Sequence, residues 1–163
     1  MNDFIYEYKT KNYFGEGCAV KHLEAVLKNY GKNVMLTYGG GSVKKNGVYE
    51  EITEILKKAE KSVTEFDGIM SNPTYKKVQE GAALAKEKEI DLIVAVGGGS
   101  VLDCCKIISA QAKSNQDIWD MEFTEHKYPT EFIPMIAIVT AIGTGAEQND
   151  GAVITNEEKT QKT

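Results

Sequence analysis

The chain has 163 residues, a formal net charge of -5 and 42% apolar residues, which suits one globular domain with a real core rather than a disordered segment. The acidic balance speaks against a nucleic-acid partner, which would want a basic face. No run of about 18 apolar residues could span a membrane, and Met1-Asn2-Asp3-Phe4 lacks the basic and apolar regions of a signal peptide. Cys18 and the adjacent pair Cys104-Cys105 give neither a disulfide framework nor metal-ligand spacing, so a reducing, cytoplasmic setting is expected. All 19 basic residues are lysine. Without a guanidinium fork, a phosphate must be held by backbone N–H groups, hydroxyls or lysine point charges.

In chain order, the aromatic, alternating stretches Phe4–Tyr8 and Tyr13–Gly17 predict a short N-terminal β-hairpin. Ala19, Leu23, Val26, Leu27 and Tyr30 recur at helical spacing, with Gly31 as a C-cap. Val34–Tyr38 is a short apolar run of the buried-strand type, ending at Gly39-Gly40-Gly41-Ser42. A helix follows with Val48, Ile52, Ile55 and Leu56 on one face. Val63–Phe66 reads as a weak strand closed by Asp67-Gly68, and Asn72-Pro73 breaks the chain before a helix over 74–89. Leu92–Val96 is the strongest strand and runs into Gly97-Gly98-Gly99-Ser100. Val101, Leu102, Cys105 and Ile108 form the next helical stripe, and Asp117, Trp119 and Asp120 fall in a polar loop. Ile133–Val139 is another buried strand, 140–145 a small-residue loop, Ala152–Thr155 a last strand, and 156–163 an unpatterned polar tail. Strand alternating with helix predicts an α/β fold: a doubly wound, mainly parallel sheet with helices on both faces.

The chemistry concentrates at the glycines. Gly97–Ser100 lies between the strongest strand and a helix. There, free N–H groups at the helix N-terminus meet ligands at the carboxyl end of a parallel sheet. Glycine lets a phosphate approach the main chain, and Ser100 adds a hydroxyl. Position 102 is Leu, so this is not the usual G-x-G-x-x-G fingerprint, and no Gly-Lys-Ser/Thr makes it a Walker A loop. Gly39–Ser42 could be the phosphate loop instead, with Asp67 holding a ribose 2′-OH. Positions 40 to 45 carry Lys44 and Lys45 and no acid, which welcomes a 2′-phosphate and favours NADP over NAD. Asp103 and Lys106 share one helix face, and Thr140, Thr144 and Glu147 line the loop after the third apolar strand. His22 and His126 have no metal-ligand spacing, and Cys105 falls on the apolar stripe as a buried, inert thiol.

Taken together, five ordered motifs resemble the iron-containing (group III) alcohol dehydrogenases, in their NAD(P)H-dependent butanol dehydrogenase branch. They are Tyr38–Gly47, Ser71-Asn72-Pro73, Val96–Asp103, Thr140–Glu147 and Gly151–Ile154, and they cover essentially the whole chain. The resemblance implies that Gly97, Gly98, Gly99 and Ser100 cradle a pyrophosphate with Asp103 beside the cofactor. It implies that Gly40, Gly41 and Ser42 border the adenosine ribose and that Asn72 lies on the adenine side. It places Thr140 and Thr144 between phosphate and nicotinamide, and matches Lys162 to a family lysine. It also implies a second, helical domain whose Asp and three His hold iron or zinc. None of those ligands falls within 1–163, so this stretch is expected to be the nicotinamide-dinucleotide-binding domain, inactive on aldehydes without the metal domain. Its cleft face should be apolar and adhesive, giving a homo-oligomer by self-association or a partner that covers it. Gly145-Ala146-Glu147 departs from the commoner Gly-Ser-Glu. A stand-alone nucleotide- or phosphate-binding module is the rival reading. Another superfamily member, a glycerol dehydrogenase or dehydroquinate synthase, is opposed by Tyr38–Gly47 and Asn72-Pro73.

Overall fold

The strongest apolar run of the sequence, Leu92–Val96, becomes a central strand of one sheet. The computed structural model describes residues 9–163. β1 (Asn33–Tyr38), β2 (Ser62–Phe66), β3 (Leu92–Gly97) and β4 (Met135–Val139) form a four-stranded sheet in the order β2-β1-β3-β4, parallel throughout. β3 is buried at every position, because a central parallel strand has helices over both faces. The edge strands β2 and β4 are partly exposed along their length.

Alternation along the strands divides the core in two. Leu36, Tyr38, Val94 and Val96 face α1 (Cys18–Leu27) and α3 (Val48–Lys58). Met35, Ile93 and Ala95 face α4 (Tyr75–Glu87) and α5 (Gly99–Lys113). The helices on both faces are those the strand–helix alternation predicts. Thr74 caps α4 by accepting the Lys77 N–H at 3.2 Å. The four-residue α2 (Ser42–Lys45) is separated from α3 by Asn46 and Gly47, the latter at φ +81°.

Several local expectations change. The first arm of the N-terminal hairpin, Phe4–Tyr8, lies outside the described residues, and Tyr13–Gly17 is irregular chain turning into α1. Gly31 does not cap α1, whose C-cap is Lys28. Gly31 instead leaves room for the Asp91 carboxylate, which accepts the Asn33 N–H at 2.9 Å; a Cβ on Gly31 would lie 2.2 Å from Asp91 Cγ. The polar stretch holding Trp119 is α6 (Ile118–Phe123), capped by Asp117. Its apolar residues seat on α4 and α5, with Trp119 packed between Tyr75 and Phe123. The last strand is shifted: β5 (Thr155–Asn156) pairs antiparallel with β6 (Gln161–Lys162), so part of the polar tail is a hairpin. Among the described residues no helix is long and apolar enough to cross a membrane.

Candidate functional site

The sheet order decides which loops are neighbours. The chain leaves β1 toward β2 on one side, then crosses to β3 on the other, so the order reverses between β1 and β3. Such a switch point opens a crevice at the carboxyl ends of the two strands. Tyr38 and Val96 are register partners. The two Gly-Gly-Gly-Ser loops therefore start side by side, one on each lip of that crevice.

Gly97–Ser100 opens α5, a 15-residue helix. Gly98 holds the N-cap position without a side-chain cap. The Gly99 and Ser100 N–H groups have no intrahelical acceptor by helix geometry, and they carry the positive end of the helix dipole. Gly97 is required by packing, since its Cβ would lie 2.6 Å from a Val101 methyl. The loop after β4 closes over this one: Thr140 N–H donates to the Gly97 carbonyl at 2.9 Å, and a Cβ on Gly99 would meet Thr144 Oγ1 at 2.9 Å. Thr140 and Thr144 thus stand beside the helix N-terminus. The Thr144 hydroxyl also accepts the Ala146 N–H at 3.3 Å.

On the other lip, Gly41 has φ +91°, a conformation that favours glycine, while Gly40 and Gly41 have no atom within 4 Å of an added Cβ. Gly39 passes close beneath: its Cβ would lie 3.0 Å from the Ile69 carbonyl oxygen. Asp67 follows β2 on exposed chain.

The return segment after β4 ties the remaining expected residues together. Asp103 accepts the Val153 N–H at 3.2 Å and lies 3.5 Å from Lys106. Lys106 donates to the Gly151 carbonyl at 2.6 Å and to Asn149 Oδ1 at 3.0 Å. Thr155 N–H donates to the Pro73 carbonyl, and Lys162 donates to Asn72 Oδ1 at 2.6 Å. Asn72 and Lys162, 90 residues apart, are therefore in contact. Asn72 adopts φ +54°, which asparagine tolerates better than most residues.

Sequence reasoning missed Glu65, next to last in β2. Its carboxylate oxygens accept the Tyr38 hydroxyl at 2.5 Å and the Tyr49 hydroxyl at 2.6 Å. Lys44 Nζ stands 5.0 Å and 4.6 Å from the centres of those two rings. A charged residue on the sheet face shared with Leu36 and Tyr38 is the signal that was available. The Tyr38 hydrogen bond, then that of Tyr49, holds the Glu65 carboxyl below the usual carboxylate range.

The adjacent cysteines are core residues. Burial pushes the Cys104 thiol up, and Cys105 up to about 12, although its hydrogen-bond contact with Thr37 at 2.9 Å opposes the shift. With the folded chain at pH 8, Ellman's reagent should label Cys18 promptly and leave Cys104 and Cys105 untouched; in denaturant all three should react. A second fast thiol in the folded chain would show that α5 is not packed as described.

Among the described residues no group of three or more His, Cys, Asp or Glu side chains is placed to share a metal ion. The described residues therefore offer no set of side chains for the iron or zinc that the resemblance implies, whereas the uncapped start of α5 presents free N–H groups at the crevice.

A family model described as iron-containing alcohol dehydrogenase matches residues 9–163. A probable NADH-dependent butanol dehydrogenase 1 of Bacillus subtilis (strain 168) is 46% identical over 162 residues, which cover 99% of this chain and 41% of that protein. An NADPH-dependent aldehyde reductase of Escherichia coli (strain K12) is 39% identical over 159 residues, covering 96% and 40%. The crystal structure of NADH-dependent butanol dehydrogenase A from Thermotoga maritima superposes with a TM-score of 0.92 at 37% identity, covering 99% of this chain and 40% of that one. The chain thus spans about two fifths of the length of the relatives it matches.

Proposed function

From the premise that the chain belongs to the iron-containing alcohol dehydrogenase family, we propose that residues 1–163 form its nicotinamide-dinucleotide-binding domain, serving the reduction of short aldehydes to alcohols. One observation carries this reading: two Gly-Gly-Gly-Ser loops lie side by side at the switch point of a parallel sheet, one of them opening an uncapped helix. The Gly99 and Ser100 N–H groups and the Ser100 hydroxyl would hold the pyrophosphate, with Gly98 leaving it room and Gly97 letting the loop pack close on Val101. Gly40, Gly41 and Ser42 would border the adenosine ribose, with Asn72 on the adenine side and Lys162 against it. Thr140, Thr144 and Asp103 would line the way toward the nicotinamide. The bound cofactor supplies a hydride; the chain's own part is to bind and orient it.

Metal and aldehyde belong, in this reading, to the family's helical domain, so residues 1–163 should bind cofactor without turning over aldehyde. Ile142, 87% exposed on the loop after β4, and Val153 offer an apolar rim for that domain or a second copy to cover. Lys44 and Lys45, with no acid between 40 and 45, favour NADPH. The test is calorimetric titration with NADH and NADPH at fixed salt. Both should bind, and absence of binding by either at millimolar cofactor would overturn the reading.

A further inference from the structure

The lysine that makes the adenosine loop basic does not stand alone. Lys44 follows Ser42 by two residues, and its ammonium lies over the Tyr38 and Tyr49 rings. The rings meet edge to face, with centres 5.5 Å apart at 72°, and both hydroxyls donate to Glu65. Held by two phenol hydrogen bonds, Glu65 is a fixed carboxylate that shares both tyrosines with the lysine. Lys45 has no such partners among the described residues.

We propose that Glu65, held by Tyr38 and Tyr49, is a positioning residue that sets the balance between NADH and NADPH by cancelling the charge of Lys44. The inference rests on the dinucleotide reading above. NADPH differs from NADH by one 2′-phosphate, roughly two negative charges at neutral pH. Lys44 alone would attract that phosphate. With Glu65 on the same two rings the pair sums to zero, and the aromatic faces favour the ammonium where it stands. The cluster therefore restrains the preference for NADPH that the two lysines would otherwise create. Loss of packing would weaken both nucleotides alike, whereas loss of this charge acts on their ratio.

The experiment is side-by-side calorimetry of NADH and NADPH on the full chain at low, fixed ionic strength. Glu65→Gln keeps the side chain's shape and should raise the Kd ratio of NADH to NADPH roughly three- to tenfold, the size expected for one charge acting on a doubly charged group about 10 Å away, well inside the Debye length at low ionic strength. Lys44 is exposed, so Lys44→Met should fold normally and lower the ratio by a similar factor. The double variant should return to the parent ratio, since both states sum to zero charge. If both nucleotides bind and Glu65→Gln leaves the ratio unchanged, or weakens the two equally, this inference fails and the dinucleotide reading stands. A double variant that keeps the raised ratio also overturns it. If the parent chain binds neither nucleotide, the dinucleotide reading fails first.

Discussion

Gly98→Val is expected to lower dinucleotide affinity at least a hundredfold while changing folding stability by no more than about 1 kcal/mol. Gly98 has φ -94° and ψ -168°, extended backbone that any residue adopts, so valine meets no backbone strain there. The added Cβ would stand 3.3 Å from the Ala141 Cβ. That space separates the loop after β3 from the loop after β4, directly before the uncapped N-terminus of α5. A branched side chain there would occupy the volume proposed for the pyrophosphate. Calorimetry with NADH, paired with thermal denaturation, separates the two effects. A Gly98→Val chain that binds NADH as the parent does would remove this loop from the site.

The second large effect is on stability. Gly81 lies inside α4, where glycine costs about 1 kcal/mol relative to alanine. Close packing explains its presence: a Cβ at Gly81 would lie 2.4 Å from Ile108 Cδ1 on α5 and 3.0 Å from Phe66 Cε1 on β2. Gly81→Val should destabilise the fold by about 3 kcal/mol, the upper part of the overpacking range, and lower the melting temperature by roughly 6–12 °C. Gly81→Ala should lose less, because its helix preference offsets part of the clash and Ile108 has rotamers to retreat to. Urea denaturation with an unchanged m-value checks both. A valine variant as stable as the parent would mean that α4 and α5 are farther apart than described.

Both predictions rest on glycines, which the sequence made legible to different degrees. Gly97–Ser100 stands out as three consecutive glycines between a strand and a helix, a local arrangement with a local reason. Gly81 does not, because what fills its missing side chain comes from Ile108 and Phe66, 27 and 15 residues away in the chain. Asn72 and Lys162 show the same divide. Each could be named from its motif, but their 2.6 Å contact depends on the β5–β6 hairpin folding back onto the start of α4. The tail looks unpatterned because a two-residue ladder has no period to detect.

The sequence by itself determined the alternation of strand and helix, the two glycine loops at strand ends, the inert cysteines and the family. All of these follow from apolar periodicity, glycine chemistry and motif order along a short stretch of chain. The tertiary structure alone decided the strand order β2-β1-β3-β4, which brings the two glycine loops together, and the hydrogen bonding of Glu65 by Tyr38 and Tyr49. The physical reason is that strand pairing and side-chain contact join residues far apart in the chain. A local pattern tells which face of a strand is buried, and packing against the rest of the chain selects what covers it.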